Sequence, residues 1–132
     1  PVTGSMQGSF TSFITCSQCN RSKDRLLFID PGFPVQKQQL VVLNTAYDSF
    51  DVYHYRGAAL REKLESILSL GKTSALIYSN PNNPAWFCLK DSELKIIGEL
   101  AEKYDVILQE AVYASPKLDT TEKVIKALAD GK

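Results

Sequence analysis

Ser74-Ala75-Leu76-Ile77-Tyr78, followed at once by Ser79-Asn80-Pro81-Asn82-Asn83-Pro84, is the stretch that decides the fold. The first part is a short, almost wholly apolar run, as expected of a strand buried on both faces. The second part consists of turn formers. Asn-Pro occurs twice, and each proline pushes the residue before it out of the helical region. A buried strand therefore stops abruptly and hands over to a rigid extended turn. The Asn side chains there can close Asx turns or reach a ligand oxygen.

The same strand-then-turn pattern recurs on either side. Leu26-Leu27-Phe28-Ile29 runs into Asp30-Pro31-Gly32-Phe33-Pro34, and Val106-Ile107-Leu108 runs into Gln109-Glu110-Ala111-Val112-Tyr113. Helical patterns fill the gaps. Ala58 to Leu70 places Leu60, Leu64, Ile67 and Leu68 on one face, with Gly71 at its stop. Asp91 caps a helix from Ser92 to Tyr104, in which Leu94, Ile97, Leu100 and Ala101 keep the helical period. Val35 to Asn44 is expected to be helical. A helix from Gly8 to Cys16 would carry Phe10, Phe13 and Ile14 on one side. Phe50 to Tyr55 alternates as a short strand, with His54 a partly buried structural residue. Thr121 to Ala129 suggests a short last helix.

Buried strands alternating with amphipathic helices predict an α/β fold, a three-layer α/β/α domain with a mainly parallel sheet and right-handed crossovers. Ligands of such sheets sit beyond the C-terminal strand ends. Asp30 to Phe33, Ser79 to Pro84 and Glu110 to Tyr113 therefore mark the expected site edge.

Composition narrows the function. The 132 residues carry 15 Lys+Arg against 15 Asp+Glu, and 44% are hydrophobic. A chain of this length buries roughly two thirds of its unfolded surface, enough for one core. The balanced, scattered charge argues against a nucleic-acid partner. No apolar run approaches the about 20 residues that span a bilayer, so no membrane partner is expected. Three cysteines form no disulfide framework, which points to a reducing, cytoplasmic setting. Cys16-Ser17-Gln18-Cys19 is a single C-x-x-C without a second pair, too little for a zinc site, and no metal is expected. Those two cysteines would pair only under oxidation.

Gly4-Ser5-Met6-Gln7-Gly8-Ser9 precedes a helix. Small residues let backbone amides approach a phosphate, the helix N-terminus favours an anion, and Ser5 and Ser9 could add hydroxyl donors. Capping alone also explains such a loop. The Walker pattern is absent, since no Gly-Lys-Ser/Thr follows.

Taken together, these motifs resemble the class I/II aminotransferases of the fold-type I pyridoxal-phosphate superfamily. Asn80-Pro81-Asn82-Asn83-Pro84 is similar to the family's Asn-Pro-x-Asn-Pro-Thr-Gly, and the end of the Val106 to Tyr113 strand is similar to its Asp-x-x-Tyr. Asp30-Pro31-Gly32-Phe33-Pro34 resembles its acid-Pro-x-aromatic-Pro turn, and Gly4-Ser5-Met6-Gln7 its phosphate loop. The motifs stand in the family order and cover about Val2 to Ala114. The resemblance implies pyridoxal 5'-phosphate as cofactor. Ser5 and Met6 would hold its phosphate through backbone amides, and Phe33 would stack on its ring. Asn83 and Tyr113 would bond the phenolic oxygen, and Glu110 would pair with the pyridine nitrogen. It also implies amino acid and 2-oxo acid substrates, and a homodimer in the full-length family.

Departures are visible. Glu110 stands where the family has Asp, one methylene longer. Ala85-Trp86 replaces Thr-Gly, with Trp86 expected to pack on the segment that follows. Lys117, Lys123, Lys126 and Lys132 lack the Ser/Thr-rich context of the Schiff-base lysine, so no catalytic residue is assigned. Residues 1–132 are expected to form a single partial large domain, the N-terminal segment and small domain being absent. The alternative is a non-catalytic truncated or engineered α/β domain with at most weak phosphate or cofactor binding. A flavodoxin-like or nucleotide-binding domain would share the strand–helix alternation, but the Asn83-Pro84 turn argues against it.

Overall fold

Four apolar segments form strands: β1 (Arg25–Asp30), β2 (Ala46–Asp51), β3 (Thr73–Ser79) and β4 (Ile107–Ala111). In the computed structural model, which describes residues 2–111 and the side chains as far as Leu108, they build one sheet in the order β2-β1-β3-β4. Every neighbouring pair is parallel. Four helices cover the sheet, α1 (Ser5–Gln18), α2 (Pro34–Val42), α3 (Ala58–Leu68) and α4 (Asp91–Lys103), and the last three make the crossovers. The expected Thr121 to Ala129 helix lies outside the described residues.

The pleat sorts the strand residues between two cores. Leu27, Ile29, Leu76 and Tyr78 pack with Leu60, Leu64 and Leu68 of α3 and with Ile97 and Leu100 of α4. Leu26, Phe28, Ala75 and Ile77 face the other way, onto Phe13 of α1 and Leu40 of α2. The central strands β1 and β3 are buried on both sides, which is why they read as continuous apolar runs. Burying each Leu, Ile or Phe contributes about 1.5–3 kcal/mol. This is the three-layer α/β/α arrangement predicted from the sequence.

Several boundaries differ from expectation. α1 begins at Ser5, a turn earlier than Gly8, and buries Phe13 fully while Phe10 and Ile14 stay half-buried. α2 ends at Val42, because Asn44 takes a left-handed conformation (φ 51°) that stops the helix. The strand expected at Phe50 to Tyr55 is instead Ala46–Asp51, followed by a 3-10 turn over Val52–His54. The Asp51 carboxylate accepts the Tyr53 N–H at 2.9 Å and so diverts the chain. His54 consequently lies exposed, not partly buried. Among the described residues no helix is long and apolar enough to cross a membrane.

Candidate functional site

The parallel sheet brings the C-terminal ends of its strands to one edge. The turn after β3 is built there by its asparagines. Asn82 is buried. Its Nδ2 donates to the Pro31 carbonyl in the turn after β1 at 2.6 Å, and its Oδ1 accepts the Ala85 N–H at 3.1 Å. Asn80 Oδ1 accepts the Leu89 N–H at 3.0 Å. The Asp30–Pro31, Asn80–Pro81 and Asn83–Pro84 peptide bonds are cis. Two strand-tip turns are thus joined into one wall. Asn83 differs from its neighbours: its N–H donates to Ser79 Oγ at 3.1 Å, while its exposed side chain has no partner among the described residues.

The far end of the same turn is clamped by Glu93, whose side chain is wholly buried. Its carboxylate accepts from Arg56 Nε and Nη2 at 2.7 and 2.6 Å. It also accepts the main-chain N–H groups of Gly57 and Lys90, each at 2.8 Å. Arg56 Nη2 donates further to the Cys88 carbonyl at 3.2 Å. The Arg56 hydrogen bonds outweigh the penalty of burial, and with the two amides they hold the Glu93 carboxyl down at about 2. Asp91 was expected to cap α4, but it is the first helical residue. Glu93 does the capping, from the third position.

A cavity of about 580 Å³ opens between this wall and the starts of α1 and α2, lined among others by Ser5, Met6, Phe33, Ser79, Asn83 and Trp86. No charged side chain lines it among the described residues. The first turn of α1 has no side-chain cap and no acidic residue. Its first main-chain bond joins the Gly8 N–H to the Gly4 carbonyl at 3.0 Å, so the amides of Ser5, Met6 and Gln7 find no acceptor among the described residues. Unsatisfied amides at the positive end of a helix dipole attract an anion. Phe33, which precedes the proline that opens α2, leaves 40% of its surface exposed. Gln39 Nε2 of α2 donates to the Met6 carbonyl at 3.0 Å and ties α2 to the first turn of α1. Asp30, at the end of β1, is paired with Lys37 Nζ at 2.5 Å. An anionic group at the head of α1 with a flat apolar ring beside Phe33 fits this lining.

Four of the residues singled out from the sequence, Ser5, Met6, Phe33 and Asn83, thus line one cavity. Glu110 stands in β4, in register with Tyr78, and Ala111 with Ser79, so β4 ends beside the β3 turn. Tyr113 and the lysines at 117, 123, 126 and 132 lie outside the described residues. Trp86 does not pack on the segment after it. It is 92% exposed, at φ 56°. Sequence reading missed the Arg56–Glu93 clamp. The Glu three residues after Lys90 carried a capping signal, whereas nothing local marked Arg56 as its partner. Cys16 is buried within α1, and Cys19 Sγ donates to the Cys16 carbonyl at 3.4 Å, both thiols being free. Cys19 lines a smaller hollow of about 250 Å³ at the opposite edge of the sheet, with Lys23 and Ser74.

No protein-family model and no curated protein sequence matches the chain. Solved structures do match in fold. An aminotransferase from Mycobacterium tuberculosis is 23% identical with a TM-score of 0.65, over 83% of this chain and 27% of that one. Aspartate aminotransferase from Thermotoga maritima is 21% identical with a TM-score of 0.65, over 81% of this chain and 28% of its own. The pyridoxal-phosphate-bound C–S lyase from Staphylococcus hominis complexed with L-cycloserine is 19% identical with a TM-score of 0.63, over 81% and 28%. The chain spans little more than a quarter of the length of these proteins. It shares the α/β fold of part of these aminotransferases and of the pyridoxal-phosphate-bound C–S lyase.

Proposed function

We propose that this chain is the cofactor-seating part of a pyridoxal 5'-phosphate-dependent aminotransferase, an enzyme that moves an amino group between an amino acid and a 2-oxo acid. The supporting observation is that Ser5, Met6, Phe33 and Asn83 line one cavity at the ligand-binding edge of the sheet. When bound, the cofactor supplies a protonated pyridine ring that draws negative charge from the substrate Cα. The free amides of Ser5 and Met6 bind its phosphate. Phe33 offers an apolar face to the ring. The Asn83 carboxamide donates to the phenolic oxygen, with Tyr113 sharing that role, and Glu110 holds a proton on the ring nitrogen. The Asn82–Pro31 bond keeps the Asn83 and Phe33 turns in fixed relation. None of the chain's lysines is assigned the Schiff base. A homodimer and a cytoplasmic setting belong to the same proposal.

The test is transfer of an isotopically labelled amino nitrogen from an amino acid to a 2-oxo acid, alongside borohydride reduction with cofactor and mass analysis for a pyridoxyl-lysine. Labelled product carries the reading. Release of ammonia and a 2-oxo acid, without transfer, makes the protein a lyase instead. Saturable cofactor binding with neither reaction supports the non-catalytic alternative.

A further inference from the structure

Two side chains in the wall of the cavity are polar, buried and unused. Ser9 of α1 and Gln36 of α2 are each only 7% exposed and line the cavity together. Neither side chain has a hydrogen-bond partner among the described residues. Thr11, Thr15 and Ser17 of the same helix donate back to the carbonyls of Gln7, Thr11 and Ile14, whereas Ser9 does not. Gln36 spends its main-chain N–H on the Phe33 carbonyl at 3.1 Å, leaving the carboxamide unpaired. Their polar ends are open to the cavity, unlike the sealed, unpaired atoms Arg25 Nε, Gln39 Oε1 and Thr73 Oγ1 elsewhere among the described residues, so a ligand in the cavity can reach them.

The surroundings say which chemistry. The described lining has no charged side chain, and both helix starts facing it lack acidic residues in the first turn. The positive potential comes from the head of α1, with Ser9 on the same helix one turn beyond Ser5. We propose that Ser9 Oγ and Gln36 Nε2 are oxyanion-binding donors, which add neutral hydrogen bonds to those of the α1 amides in holding a phosphate group. The assignment builds on the reading of the cavity as a cofactor site and adds Gln36, from a second helix, to its phosphate contacts.

The test uses Trp86, the protein's single tryptophan, which lines the same cavity and reports binding by its fluorescence. Three probes are titrated: pyridoxal 5'-phosphate, pyridoxal and inorganic phosphate. Ser9→Ala and Gln36→Leu are each expected to weaken the two phosphate-bearing probes about tenfold, the effect of losing a hydrogen bond to a charged group, and to change pyridoxal less than about twofold. Gln36→Glu keeps the shape, adds a negative charge, and should abolish phosphate binding. Without ligand, Ser9→Ala and Gln36→Leu should melt close to the wild-type temperature, since neither side chain holds a hydrogen bond within the described residues. A structural role would lower it. Undiminished phosphate affinity, an equal loss for pyridoxal, or a lower unliganded melting temperature overturns the assignment. Phosphate binding that depends on Ser9 and Gln36, in a protein that does not bind pyridoxal 5'-phosphate, sustains the assignment and overturns the aminotransferase reading.

Discussion

Asn80, Asn82 and Asn83 share one side chain and divide two duties. Asn82 is buried with both ends of its carboxamide bonded, and one bond reaches the turn of another strand. Asn82→Ala is expected to cost about 2–3 kcal/mol in urea unfolding, because it strands the Pro31 carbonyl and the Ala85 N–H. Asn83→Ala removes no bond within the described residues, so its stability should stay within about 0.5 kcal/mol of wild type while affinity for pyridoxal 5'-phosphate falls. A fall in stability for Asn83→Ala matching that of Asn82→Ala would reverse the two roles. The sequence showed that a turn stands here, but not which asparagine is buried, since that depends on a carbonyl in a distant strand. Trp86 makes the same point. Its position was legible, but not its left-handed backbone or its exposure. Left-handed geometry costs a non-glycine residue about 1 kcal/mol, and Trp86 recovers little by burial. Trp86→Gly should therefore raise stability by up to about 1 kcal/mol, read from the urea midpoint at unchanged slope.

At the scale of elements, the helices were legible where their apolar period was strong, and β1 and β3 where both faces are buried. β2 was misplaced because it lies at the sheet edge and buries only Phe50. An edge strand has no continuous apolar run to announce it, and the alternation that continued past Asp51 belonged to a 3-10 turn. α4 illustrates a different gap. Its start depends on Glu93, which ties Lys90, Gly57 and Arg56 together, and Gly57 immediately precedes α3. A carboxyl held at about 2 when folded and at an ordinary 4.5 when unfolded binds more protons in the unfolded state between those values. Its contribution is therefore complete above about pH 5 and is lost as pH falls towards 2. That contribution is on the order of 3 kcal/mol. Melting temperature should drop across this window in wild type and follow a flatter profile in Glu93→Gln, which is already destabilised at neutral pH. Parallel profiles for the two proteins would remove Glu93 from the acid response.

At the scale of the molecule, the sheet is a partition. α1 and α2 share one core with Leu26, Phe28, Ala75 and Ile77, while α3 and α4 share the other with Leu27, Ile29, Leu76 and Tyr78. The ligand edge sits where the turns of β1 and β3 meet the starts of α1 and α2, so the cavity belongs to the first core. The second core supports it through the Arg56–Glu93 clamp on the β3 turn. This division was foreseeable from strand–helix alternation, but the pairing of particular helices with particular faces requires the crossovers to be traced in space. It has a measurable consequence. Ile77 and Ile97 are both fully packed but belong to opposite cores. Ile77→Val and Ile97→Val should each cost about 1 kcal/mol. Their double mutant should cost the sum within about 0.5 kcal/mol, because they share no packing neighbours. Ile77→Val should also loosen phosphate binding, since it relaxes the layer beneath α1, whereas Ile97→Val should not. A coupling energy above about 1 kcal/mol, or equal effects on phosphate affinity, would mean that the two cores respond as one body and that the sheet transmits packing changes from face to face.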